Sequence, residues 1–212
     1  PAEKARGRAK SQEKHQRIME AATELFTSHG ISGTNMADIA ERAGVSKQTL
    51  YSHFGSKNDL FVAAIEARCL EHELSERLFD DERPVAQVLR DLARHLMTLL
   101  LSPEAVAVHR LCIAGCDDYP DISRLFYEAG PKHMLTMLRG YLERQSQKGV
   151  LAVDDADFAA QQFLFMIKGR IHLQALLNVA DSDDEARVPD YLDSCVGLFL
   201  AGYGVNEDAG GG

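Results

Sequence analysis

Lys47, Gln48, Thr49, Tyr51, Ser52 and His53 fall in one short stretch, and no acidic residue occurs from Arg42 to Asn58. An ammonium, an amide, hydroxyls and an imidazole without neighbouring carboxylates are groups that bond phosphate oxygens and base edges. Lack of carboxylates is weak evidence alone, because Phe158 to Ala180 is also acid-free and is simply apolar. The chemistry therefore depends on how these side chains are presented.

The flanking sequence predicts the elements that present them. Ile18, Ala22, Leu25 and Phe26 recur at helical spacing until His29 and Gly30 close a first helix. Thr34 and Asn35 offer N-caps for a short second helix, with Asn35 and Asp38 spaced as a capping box and Met36, Ile39, Ala40 and Ala43 as its inner stripe. Gly44 permits a tight turn, and Ser46 caps a third helix whose large inward residues are Leu50 and Phe54. Two short helices about a glycine turn, the second with a polar outer surface, match a helix-turn-helix that sets one helix in the DNA major groove.

The stretch Thr34 to Phe61 resembles the DNA-binding domain of the TetR family of bacterial transcription regulators, fitting its pattern at Thr34, Ile39, Ala40, Ala43, Gly44, Val45, Ser46, Leu50, Tyr51, His53, Phe54, Ser56, Lys57 and Leu60. The resemblance implies a phosphate contact by Thr34 at the start of the second helix, backbone contacts by Tyr51 and His53, and a phosphate contact by Lys57. Lys47, Gln48, Thr49 and Ser52 occupy the pattern's variable positions and are the candidate base readers; Ser46 completes the DNA-binding set. Gln suits adenine and Lys suits guanine acceptors.

The same resemblance implies a C-terminal helical domain that dimerises and holds a small-molecule site. Arg110 to Gly115 and Leu125 to Pro131 resemble the AcrR/AefR-type branch, many members of which control efflux or stress genes. Helices are predicted at Val85–Leu101, Pro103–Cys116, Ile122–Lys148 with a disturbance at Gly130–Pro131, Asp154–Asn178 and Val188–Tyr203. The helix from Asp154 is apolar on two sides, one for a partner and one for a pocket. Candidate dimer residues are Phe158, Phe165, His172, Leu173, Leu176, Tyr191, Cys195, Leu198 and Phe199. Aromatic and thioether side chains with a few polar groups suit a mostly apolar effector, giving His95, His109, Phe126, Met134, Met137, Phe163, Met166 and Arg170 as candidate lining. Arg170, in an otherwise apolar helix, must find a carboxylate, a carbonyl, water or an anionic ligand.

The expected fold is all-α: a basic arm at 1–16, mobile at its start, a three-helix helix-turn-helix DNA-binding domain at 17–62, a larger helical ligand-binding and dimerisation domain at 63–204 and a flexible tail at 205–212. The arm either enters a minor groove or is solvated. The 26 Ala and 25 Leu against 20 Val plus Ile favour helix over sheet. The net charge of -9 argues at first against DNA, but residues 1 to 60 carry +2 and the remainder -11, so the acidity belongs to the body. Cysteines at 69, 112, 116 and 195 form no disulfide ladder, and with no export signal or membrane span expected, the compartment is read as cytoplasmic. His109, Cys112 and Cys116 share a helical face but do not close a tetrahedral site, so no metal or cofactor is expected. No phosphate loop, nucleophile elbow, zinc-protease motif or paired-carboxylate motif points to an enzyme. The partners implied are double-stranded DNA with a palindromic operator, a second copy of the chain and an apolar effector, without a membrane.

Overall fold

The computed structural model describes residues 2–80 and 82–205, with the backbone alone at 2–9 and 182. Its helices are α1 (Ala2–Gly33), α2 (Met36–Ala43), α3 (Lys47–His53), α4 (Lys57–Glu71), α5 (Val85–Leu100), α6 (Pro103–Ala114), α7 (Pro120–Tyr127), α8 (His133–Gln147), α9 (Ala156–Leu177), α10 (Ser182–Ala186) and α11 (Val188–Tyr203). The Gly130–Pro131 disturbance is a single wide helical turn, Glu128–Lys132, separating α7 from α8. Proline supplies no N–H to the ladder, so the turn widens there. No single helix among the described residues is long and apolar enough to cross a membrane.

The chain forms two compact units: residues 1–68 with 103–129, and residues 69–102 with 130–212. This differs from the expected boundary near residue 62, because α6 and α7 join the first unit instead of the body. Their side chains explain it: buried Cys112 and half-buried Val108, Ile122, Leu125 and Phe126 pack with Ile18, Phe26, Ile39, Leu50, Leu60 and Phe61. The short α2 and α3 bury little apolar surface of their own, and α6 and α7 add to the core they share with α1 and α4. Arg68 of α4 donates to Glu104 of α6 at 3.1 Å and ties the two ends of this unit together.

In the second unit α5, α8, α9 and α11 surround a core that includes Leu89, Leu92, Leu138, Leu142, Phe163, Ile167 and Val196. At its edge Leu151 and Gly204 form an isolated antiparallel bridge, and the Ala152 N–H donates to the Tyr203 carbonyl at 2.7 Å. The tail expected from 205 is described only at Val205; positions 206–212 lie outside the described residues. The basic stretch expected to begin as a mobile arm is helical from Ala2 onward, while the side chains of Lys4, Arg6 and Arg8 lie outside the described set.

Candidate nucleic-acid interface

Local caps build the reading head. The Asn35 side-chain oxygen accepts from the N–H groups of Ala37 at 2.9 Å and Asp38 at 3.0 Å, and its amide donates to the Asp38 carboxylate at 2.6 Å. That reciprocal arrangement starts α2. Gly44 ends it in the left-handed region, at φ 63° and ψ 39°, and the following Val45 N–H returns to the Ala40 carbonyl at 3.0 Å. A residue with a side chain is strained at such a φ, so glycine sets the crossing of α2 and α3. The Ser46 hydroxyl oxygen then accepts the Thr49 N–H at 3.1 Å and pairs with the Thr49 hydroxyl at 2.9 Å.

These bonds divide the expected DNA-binding residues. Ser46, Thr49 and Ser52 have hydroxyls engaged in shaping α3, the last donating to the Thr49 carbonyl at 2.7 Å. Lys47, Gln48 and Tyr51 are exposed and make no side-chain hydrogen bond or ion pair among the described residues. Leu50 and Phe54 are buried beneath them, which holds the polar face outward. Exposing half of a Tyr ring, as at Tyr51, favours a partner that takes both its ring and its hydroxyl.

Thr34 departs from its expected role. It is only 3% exposed, and its hydroxyl faces the carbonyls of Gly30 at 2.7 Å and Leu25 at 3.1 Å. Gly30 interrupts α1 at φ 69° and ψ 169°, and the Thr34 hydroxyl turns its single proton to carbonyls of α1, so Thr34 ties the start of α2 back to α1 and is not an open phosphate donor. Lys57 is half-buried and donates to the Thr34 carbonyl at 2.9 Å, with two donors of its ammonium remaining.

Two contributors were not visible in the sequence. His15 of α1 lies with its ring centroid 5.0 Å from that of Phe54 and 5.9 Å from that of His53, setting α1 against the end of α3. The Arg42 guanidinium donates to both Glu24 carboxylate oxygens, at 2.6 and 2.9 Å, locking α2 to α1. Both depend on residues distant in sequence, and their spacing carries no periodic signal.

The effector candidates separate. His109 and Phe126 belong to the first unit, with ring centroids 5.4 Å apart, whereas His95, Met134, Met137, Phe163, Met166 and Arg170 belong to the second. Phe163 and Met134 are buried core residues, Phe163 lying edge-on to Phe199 at 5.1 Å. Arg170 is exposed and donates to Asp184, so its partner is a carboxylate of its own unit. The His95 Nε2 lies 3.3 Å from the Glu73 carboxylate, while its Nδ1 is buried without a hydrogen-bond partner among the described residues.

The dimer candidates also divide. His172, Cys195 and Phe199 are buried within their own unit and Leu176 is half-buried. Phe158, Phe165, Leu173, Tyr191 and Leu198 are exposed. Among the described residues no group of three or more His, Cys, Asp or Glu stands together as a metal site. Burial pushes the Cys112 thiol up to about 11, away from the thiolate that binds metals or oxidants.

A glycine-turned pair of helices with an uncommitted polar face on the second, joined to a helical body, defines a helix-turn-helix DNA-binding regulator of transcription. Residues 18–64 match the family model for bacterial regulatory proteins of the tetR family, and residues 87–205 match the C-terminal domain of AefR-like transcriptional repressors. The chain belongs to the TetR family. It is 27% identical over 182 residues to the HTH-type regulator YezE of Bacillus subtilis, covering 83% of this chain and 91% of that protein. A TetR-family regulator from Mesorhizobium loti superposes with a TM-score of 0.75 at 31% identity, covering 92% of this chain and 98% of that one. The flavonoid-responsive regulator FrrA superposes at 0.69 with 33% identity, over 90% and 97% of the two chains.

Proposed function

We propose that the protein is a homodimeric repressor that binds a palindromic operator through α3 and is released by a mostly apolar effector held in the second unit. The observation that carries the reading is the outward face of α3, where Lys47, Gln48 and Tyr51 are exposed and make no side-chain hydrogen bond or ion pair among the described residues. Lys57, Tyr51 and His53 approach phosphates, and Lys47 and Gln48 read bases; Thr49 and Ser52 approach base edges only through lone pairs left by their helix bonds.

One reading helix contacts too few base pairs for useful selectivity, so two copies are needed. An apolar face supports where they meet: Phe165 is 65% and Leu198 66% exposed, with Phe158, Leu173 and Leu177 on the same two helices. Leaving so much apolar surface in water is unfavourable, and a second copy of the same face removes it. Half-buried Met137 and Met166, with the unpartnered His95 Nδ1, are the remaining effector contacts in that unit. The likeness to a flavonoid-responsive regulator favours an aromatic effector carrying hydroxyl groups. Release requires that the effector bind the DNA-incompetent arrangement more tightly than the competent one.

Gel-shift selection against genomic fragments tests the reading, alongside sedimentation of wild type and of Phe165→Glu with Leu198→Glu. A salt-sensitive shift on an inverted repeat, abolished together with the dimer in the double variant, is expected. Absence of any specific shift by a folded dimer overturns DNA binding. Equal operator affinity from a monomeric double variant overturns the dimer requirement.

A further inference from the structure

We propose that the first unit carries an effector site of its own, separate from the one in the second unit, that takes a neutral aromatic molecule of one or two rings with one hydrogen-bond donor. The site is a cavity of about 260 Å³ between the end of α1, Phe61 of α4, and helices α6 and α7. That is below the ~300–1,000 Å³ of drug-sized sites, so it suits a small ring system. Phe26 and Phe61 form an edge-to-face pair 5.4 Å apart on one wall, offering the faces and edges on which a planar ring packs. Val108, Leu111 and Ile122 extend the apolar lining.

Charge selects further. No Asp, Glu, Lys or Arg lines the cavity and its one imidazole, His29, is exposed, so an ionised ligand would lose hydration without gaining a buried counter-charge. Among the polar side chains of the lining, His29, Ser32 and Tyr119 are exposed and Ser123 is half-buried; the Ser123 hydroxyl already donates to the Cys112 carbonyl at 3.0 Å. Its oxygen can still accept, which matches an indole N–H or a phenol O–H.

Position gives the site a route to the reading head. Gly30 lines the cavity, and its carbonyl accepts the Thr34 hydroxyl at 2.7 Å. The Thr34 carbonyl in turn accepts the Lys57 ammonium at 2.9 Å, and Asn35 beside it caps α2. A ring seated against Gly30 bears on the segment from which α2 starts; this coupling rests on the DNA-binding reading above.

Indole is the test ligand. The chain contains no tryptophan, so indole fluorescence anisotropy reports binding to the full-length protein without a tryptophan background. A saturable rise is expected, weakened roughly tenfold or more in Val108→Phe and in Ser123→Phe, which fill the cavity. In wild type the methyl resonances of Ile31 and Ile122, both cavity residues, shift on titration while that of Ile167 does not; this arm stands even where a filling variant fails to fold. Indole also changes wild-type operator affinity, by about fivefold or more. No saturable binding, or saturable binding with unmoved Ile31 and Ile122 resonances, overturns the site. Cavity-specific binding with unchanged operator affinity overturns its effector role. Failure to bind operator even without indole overturns the DNA-binding reading and leaves the indole titration to decide the site.

Discussion

Gln48 and Tyr51 share an exposed helix face but differ in what they can discriminate. An amide matches the donor and acceptor edge of adenine, whereas a phenol hydroxyl on a phosphate carries no base information. Gln48→Ala is expected to relax preference at one base pair per half-site by about 1–3 kcal/mol, while Tyr51→Phe weakens all operators about equally; affinity across a set of single-base operator variants checks both. Cys112 and Cys116 make a second contrast at this scale. Burial raises the Cys112 thiol from 9.0 to about 11, and Cys116 is exposed. At pH 8 Cys112 then holds about a hundredfold less thiolate than an ordinary thiol. Mass mapping of iodoacetamide adducts should find Cys116 modified first, and Cys112 alkylated at a comparable rate would contradict the burial. Because the folded value lies above the unfolded one, Cys112 contributes stability that is fully present below about pH 9 and is lost as pH rises through about 11.

Element geometry turns on two glycines. At Gly44, alanine must adopt a positive φ, costing about 1 kcal/mol and disturbing the crossing that presents α3. Gly169 interrupts α9 at φ 52°, and a Cβ there would lie 2.8 Å from a Tyr191 ring carbon. The break also accompanies a bond from the Tyr191 hydroxyl to the Met166 carbonyl at 2.6 Å, which pins α11 to α9. Gly169→Ala is therefore expected to destabilise the protein by about 1–3 kcal/mol. Gly140→Ala, in α8 with its nearest added contact an Arg144 nitrogen at 3.6 Å, should stabilise by up to about 1 kcal/mol from helix propensity. Urea denaturation of the pair decides it, and equal shifts would refute the Tyr191 contact as the cause.

Across the whole molecule, the charge distribution bears on the proposed dimer's approach to DNA. An overall -9 with +2 in residues 1 to 60 leaves the approach to phosphates to a small set of cations, with acidity elsewhere repelling nonspecific DNA. Removing one cation from a phosphate lowers the slope of log affinity against log salt by about 0.9. The proposed symmetric dimer would carry each substitution twice, so Lys57→Gln should lower the slope by about 2; a change of about 1 would indicate that one protomer reads the site. The glutamine retains a donor for the Thr34 carbonyl, which Lys57 bonds here.

Most of the long helices, the capping box at Asn35, the glycine turn at Gly44 and the polar face of α3 were legible from residues because each is set by neighbours within a few positions, whereas the helical start of α1 and the short α10 were not. Local dihedral preference and period determine the legible features. Tertiary packing decided the rest. Thr34 has the residue type of a phosphate donor, but the break at Gly30 brings two carbonyls to its hydroxyl. His172, Cys195 and Phe199 carry the same apolar pattern as Phe165 and Leu198, yet the first three are buried in their own unit and the last two face solvent. Periodicity reports that a helix side is apolar, not which partner covers it. The assignment of α6 and α7 to the first unit has the same origin: burying Val108, Cys112 and Ile122 against residues some ninety positions earlier is a choice among packings, and no local preference distinguishes them.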